Sequence, residues 1–148
     1  MSVQEASNEN KTLRPNHSDL IQFLKTTQYF KNSDTETLHS IAKAAEWIVL
    51  PSSQVLMKQG VKETRVFLIY RGKLRFEKRN ADGDIAATGE FQSKDMVGEI
   101  SFLKDHISVA TAYAVRNCEI LGLDQKTFED FLLKNPQIAY DMARKAIH

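Results

Sequence analysis

The chain has 148 residues, 42% hydrophobic and 26% charged, which suits one globular domain with a real core. A net charge of +1 gives no field that would draw nucleic acid or an anionic membrane surface, and the single cysteine, Cys118, excludes an internal disulfide. No apolar run approaches the ~20 residues of a membrane span, and residues 1–16 lack the apolar core of a signal peptide, so the sequence reads as cytoplasmic.

Residues 1–17 are polar and read as a flexible tail; residues 18–148 read as the domain. Leu20, Ile21, Phe23 and Leu24 open it, with Ser18 as cap of a short helix. Ser33-Asp34-Thr35-Glu36 is a capping box in which the Ser33 hydroxyl accepts from the Glu36 amide. Leu38, Ile41, Ala42 and Ala45 follow at helical spacing, predicting a helix over 34–45.

After Trp47 the pattern turns to short strands. Residues 47–50 are β-rich and stop at Pro51. Residues 55–57 form another run, closed by Gly60. Residues 65–70 are nearly all apolar, as in a buried strand, and Gly72 breaks them. Leu74 and Phe76 then alternate with Lys73, Arg75 and Glu77. Asp82-Gly83 signals a hairpin turn, with residues 85–91 as the return strand. Residues 108–115 and 119–123 add two strands. Asp124 caps a helix carrying Phe128, Phe131 and Leu132, and Pro136 restarts a second one with Ile138, Met142 and Ala146 on one face. The spacing of strands and turns argues for a roll or barrel rather than alternating α/β units.

Phe30-Lys31-Asn32, the Gly60 turn, the Ile69-Tyr70-Arg71-Gly72-Lys73-Leu74 strand break, Val97-Gly98-Glu99-Ile100-Ser101-Phe102-Leu103 and Ala110-Thr111, in that order and spacing, resemble the cyclic-nucleotide-binding domain family. That family includes the catabolite activator protein and the regulatory subunits of cAMP-dependent protein kinase. The resemblance runs from about residue 23 to 147. It implies a mainly β fold with flanking helices: an eight-stranded β-roll, a jelly-roll-like double-stranded β-helix. It also implies a phosphate-binding cassette, here residues 98–111, and C-terminal helices that move when ligand binds.

Carried onto this chain, the resemblance gives Gly98 the sharp turn into a short helix. The amides near Ile100 and Ser101 face the cyclic phosphate, where unpaired N–H groups and the helix dipole favour an anion. Glu99 accepts from the ribose 2′-hydroxyl. The family's phosphate-clamping arginine falls at Ser108, followed by Val109, Ala110 and Thr111. An arginine donates two parallel bonds to phosphate, whereas Ser108 offers one neutral hydroxyl. Losing a charge-assisted hydrogen bond of roughly 1.5–3 kcal/mol weakens binding by about 10- to 150-fold. Val109 offers no hydroxyl where cGMP-selective members place one, so cAMP is favoured over cGMP.

Each of these residues also has a plainer reading. Gly98 is a turn glycine whether or not a ligand binds. Glu99 is an exposed carboxylate at a helix start. Ser108 fills an edge of an altered pocket. Lys104 and His106 in the same loop, or Arg65, Arg75 and Arg116 from neighbouring strands, are the candidates to replace the arginine. Lys73, Arg75, Lys78 and Arg79 read first as a solvated face.

The histidines His17, His39, His106 and His148 share no metal-ligand spacing, and Cys118 reads as an inert core residue. No nucleophile elbow, Walker loop or catalytic carboxylate pair is present. These features predict a binding module rather than an enzyme, with no resident metal or cofactor and a cyclic nucleotide or other small anion as ligand. The leading expectation is a ligand-sensing regulatory domain; the alternative is a nucleotide-free protein-interaction module that uses its C-terminal helix. Specific DNA binding would need a helix-turn-helix after the roll, and the chain ends at His148. The C-terminal strip is expected to dock on its own roll or touch a partner weakly, leaving a mostly monomeric chain.

Overall fold

A computed structural model describes residues 13–146 of the chain. Most of the expected tail, the side chain of Ala146, and residues 147–148 lie outside the described part. In chain order the elements are α1 (His17–Leu24), α2 (Thr35–Ala44), β1 (Glu46–Leu50), β2 (Val55–Met57), β3 (Val66–Arg71), β4 (Lys73–Arg79), β5 (Ile85–Gln92), β6 (Met96–Val97), α3 (Glu99–Phe102), β7 (Thr111–Ala114), β8 (Cys118–Leu123), α4 (Gln125–Lys134) and α5 (Pro136–Ala146).

Two helix caps differ from the sequence expectation. Asn16, not Ser18, caps α1, its side chain accepting from the Asp19 amide at 2.8 Å. Asp34, not Ser33, caps α2, with extended backbone and a carboxylate that accepts from the Thr37 amide at 2.7 Å. A carboxylate is the stronger acceptor at the positive end of a helix, and its pKa is lowered mainly by that bond. Asp124 caps α4 in the same way, accepting from the Thr127 amide at 2.8 Å. The Arg14 guanidinium donates to the Ala42 and Ala45 carbonyls, tying the approach to α1 onto the open end of α2.

The expectation of a mainly β protein built on an eight-stranded β-roll is corrected on two counts. Helix and strand each take about 32% of the described residues. The strands form two open four-stranded sheets, ordered β1-β8-β3-β6 and β2-β7-β4-β5, and no pairing closes them into a roll or barrel. The reason is physical: β2 and β6 have only 3 and 2 residues, too little ladder to carry pairing around a closed circuit.

The first sheet has cover on both faces, which explains the apolar run at β3. Val66 and Leu68 of β3 and Leu121 and Leu123 of β8 point into a core shared with Leu20, Leu24, Leu38, Ile41, Phe128 and Phe131 of the helices. Phe67 and Ile69 of β3, with Cys118 and Ile120 of β8, point the other way, onto Met57, Leu74, Ala112 and Ala114 of the second sheet. The molecule is therefore layered as helices, sheet, sheet. Met142 of α5 is buried in the helical core, so α5 docks on its own domain. Phe102 of α3 meets Phe128 edge-on, with centroids 5.0 Å apart. That contact anchors the short helix α3 to the helical layer.

Candidate ligand-binding site

The strand β6 delivers the chain to Gly98, which has φ +94° and precedes α3 as its cap without a side-chain hydrogen bond. Glycine is suited to that left-handed turn. A Cβ there would lie 3.4 Å from the Arg65 carbonyl oxygen, so the turn also brings α3 close to the start of β3. Residues 103–108 then return along residues 60–63. The Gly60 amide donates to the Ser108 carbonyl at 2.8 Å, Ser108 N–H donates to Val61 at 3.0 Å, and Glu63 N–H to His106 at 2.7 Å. His106 takes φ +62° inside this loop, a left-handed conformation uncommon outside glycine.

These segments border a cavity of about 410 Å³. Of the residues expected in the cassette, Gly98, Glu99, Ile100, Ser101, Val109 and Ala110 line it together. Ser108 and Thr111 do not. Ser108 is only 2% exposed, and its buried hydroxyl has no hydrogen-bond partner. The Thr111 hydroxyl is engaged elsewhere, accepting from the Gln59 amide at 3.0 Å. Ser101, also 2% exposed, carries a second buried hydroxyl without a partner.

The cavity's remaining walls are Met57, Phe76, Lys78, Phe91, Val97 and Ala112. None of these was named as a site residue from the sequence, although Phe76 and Lys78 follow Leu74 on one face by strand alternation. Lys78, read as part of a solvated basic face, is the cation that lines the cavity. The five basic candidates to replace the arginine do not line it. Arg65 is held by Glu63 at 2.9 Å and Glu46 at 3.1 Å. Arg75 occupies the face of β4 opposite Phe76. Arg116 borders a separate depression beside Tyr70 and Gly72. Lys104 is exposed, and the His106 ring packs edge-on against Phe102 at 5.1 Å.

Glu99 supplies the negative charge at the cavity. Burial pushes its carboxyl above the ordinary glutamate range, and Asp95 adds to the rise, while its own backbone amide and Lys145 of α5 oppose it. The Tyr29 phenol is pushed up to about 12, by burial first and then by the charge of Glu99. Glu99 lines both this cavity and a second hollow shared with Tyr29 and Asp95.

The profile of the cyclic nucleotide-binding domain family matches residues 47–135 of the chain. The chain belongs to that family. By that membership it is a regulatory domain of the cyclic nucleotide-binding fold. It is 27% identical over 101 residues to the lysophospholipase nte1 of Aspergillus oryzae, a match that spans 68% of this chain and 7% of that protein.

Among solved structures it resembles the regulatory subunit of a cAMP-independent protein kinase A from Trypanosoma brucei, with TM-score 0.79 and 23% identity, covering 89% of this chain and 47% of that one. A variant of that subunit, with a glutamate changed to alanine, a threonine to arginine and the next valine to alanine, is bound to cAMP in its A site. The corresponding Trypanosoma cruzi subunit, bound to guanosine, matches with TM-score 0.78 and 23% identity over 89% of this chain and 46% of that one. At such identity these likenesses show the fold alone. Among the described residues no helix is long and apolar enough to cross a membrane.

Proposed function

We propose that this cyclic nucleotide-binding domain is a ligand-sensing regulatory module whose pocket has lost tight hold of a cyclic phosphate and favours an uncharged, nucleoside-type ligand. The observation that carries the reading is the cavity wall itself. Glu99, Ile100, Ser101, Val109 and Ala110 border it, as a cassette should, yet no arginine does. Position 108, where the resemblance expects the arginine, holds a buried serine with an unpartnered hydroxyl.

A free anion in an apolar cavity needs a partner of opposite charge, because desolvating it unpaired is costly. Lys78 lines the cavity, but a lysine is a point charge without the planar fork that grips phosphate. The trypanosomal proteins support this reading. One of them gains an arginine and an alanine in place of a threonine and valine in the form bound to cAMP, and its relative is bound to guanosine. Ser108-Val109 here is the same pair of types, a hydroxyl residue followed by valine.

Glu99 is the acceptor for ribose hydroxyls in this proposal. Among cyclic nucleotides, cAMP is favoured over cGMP because Val109 offers no hydroxyl. The module works in the cytoplasm, mostly as a monomer, without DNA, and passes its signal to a protein partner through the C-terminal helices. An interaction module that needs no nucleotide is the second reading, favoured by the exposure of Leu133 at 80% and Tyr140 at 58% on those helices.

The test is thermal unfolding of the chain with adenosine, guanosine, cAMP or cGMP at equal concentrations. A ligand that binds only the folded form raises the Tm, and at equal concentration the tighter ligand raises it more. The nucleosides are expected to raise it more than the cyclic nucleotides. A larger rise with cAMP contradicts the proposal, and no rise with any of them favours the second reading.

A further inference from the structure

His17 opens α1, and His39 stands in the middle of α2. They share no metal-ligand spacing in the sequence, being 22 residues apart, yet the fold brings His17 Nε2 to 2.5 Å from His39 Nδ1. The ring centroids are 4.6 Å apart, with 23° between the planes. That separation is close to the largest that the 2.5 Å approach allows. The rings therefore meet edge to edge, and each nitrogen points at the other. Both side chains are exposed, but the helices that carry them are fixed. Leu20, Ile21 and Leu24 of α1 pack with Leu38, Ile41 and Ala42 of α2 in the helical core. The Arg14 guanidinium ties the chain just before α1 to the end of α2.

We infer that His17 and His39 form a two-imidazole site for a divalent late transition metal, of the Zn²⁺ or Ni²⁺ class, which staples α1 to α2. A neutral imidazole carries a proton on one ring nitrogen and a lone pair on the other. With His17 protonated on Nδ1 and His39 on Nε2, both facing nitrogens present lone pairs, and one metal ion accepts both. Zinc–imidazole bonds of about 2.0–2.1 Å at a tetrahedral angle put the two nitrogens about 3.3 Å apart. A small rotation of two exposed side chains supplies that opening. Imidazole suits Zn²⁺, Ni²⁺ and Cu²⁺, whereas Mg²⁺ prefers oxygen ligands and keeps its waters. Among the described residues no third His, Cys, Asp or Glu joins the pair, so water completes the shell. The positive end of α1 opposes a cation, and Asp19 in its first turn offsets that.

The experiment is calorimetric titration of ZnCl₂, NiCl₂ and MgCl₂ into the untagged full chain and into His17→Gln and His39→Gln. Circular dichroism establishes that each variant is folded, and if one is not, the other decides alone. The wild-type chain is expected to bind Zn²⁺ and Ni²⁺ but not Mg²⁺. Two ligands on one scaffold act as a chelate, because the second binds at high effective concentration. Each single variant is therefore expected to weaken Zn²⁺ by about tenfold or more. Ni²⁺ is paramagnetic, and it is expected to broaden the ring-proton NMR signals of His17 and His39 before those of the other histidines.

Zn²⁺ affinity unchanged within about twofold in either folded variant would overturn the inference, because an ion held by both rings must feel the loss of either. Mg²⁺ binding as tight as Zn²⁺ would also overturn it. So would the absence of Zn²⁺ binding to the wild-type chain, which would leave the pair as a hydrogen bond between two helices and nothing more.

Discussion

The Gly60 amide donates to the Ser108 carbonyl at 2.8 Å, which pins the cassette's return loop to the turn after β2. Ser108 N–H donates to Val61 from the other side, so the backbone at position 108 is fixed while its hydroxyl stays buried without a partner. Removing an unpartnered buried hydroxyl relieves a desolvation cost rather than breaking a bond. Ser108→Ala is therefore expected to leave stability unchanged or raise it by up to about 1 kcal/mol. Urea denaturation checks this, and a loss of about 1 kcal/mol would mean that the hydroxyl is hydrogen-bonded.

Gly98→Ala tests the turn into α3. There is room for the added Cβ, with the Arg65 carbonyl 3.4 Å away, so the cost comes from the positive φ alone. That cost is about 1–2 kcal/mol. The variant is expected to fold, with a lower denaturation midpoint and an unchanged m value. An unchanged midpoint would show that α3 does not depend on this conformation.

Glu99 predicts a pH dependence. Its carboxyl is held above the ordinary glutamate range in the folded protein, chiefly by burial, so folding favours the protonated form. Its contribution is fully present below the unfolded glutamate pKa and is lost as pH rises through the raised folded value. Glu99→Gln removes that loss. The variant is expected to be more stable than the wild type near neutral pH, with the advantage shrinking towards about pH 4. Denaturation series across that window decide it, and parallel curves would contradict it.

Met142 is 3% exposed and packs in the helical core. An aspartate there would bury a charge without a partner. Met142→Asp is expected to destabilise the domain by more than about 2 kcal/mol, from the lost packing alone, and to lower its Tm. Tyr140→Asp, on the exposed side of the same helix, is expected to change stability by less than about 0.5 kcal/mol. A Met142→Asp variant with wild-type Tm would place α5 against something other than its own domain.

Much of the element order was legible because it is written locally. The spacing of Leu38, Ile41 and Ala42 marked α2, the apolar run marked β3, and Asp124 and Pro136 marked the starts of α4 and α5. What was not legible depends on partners distant in sequence. The two residues of β6 form a strand only through Phe67 and Leu68, and no periodicity can show in two residues. The open sheets in place of a roll follow from which strands lack a neighbour, and a single strand's pattern does not carry that.

The site divides in the same way. The cassette motif placed Gly98, Glu99, Ile100, Ser101, Val109 and Ala110 near one another, and they share the cavity. That Ser108 is buried and absent from the cavity wall goes with its backbone bonds to residues 60–61, which are distant in sequence. Phe76 pairs with Gly89 across the β4–β5 hairpin, and the sequence offered only a glycine inside a strand as its trace.

The most direct test is calorimetric titration of cAMP into the wild-type chain and into Ser108→Arg, side by side at physiological salt. The arginine would restore a charge-assisted, two-point hold on the phosphate. The wild type is expected to bind weakly or not measurably, and the variant to bind at least about tenfold more tightly. Sub-micromolar cAMP binding by the wild-type chain, with no gain in the variant, would show that another cation completes the clamp and that the pocket is not altered in the way proposed.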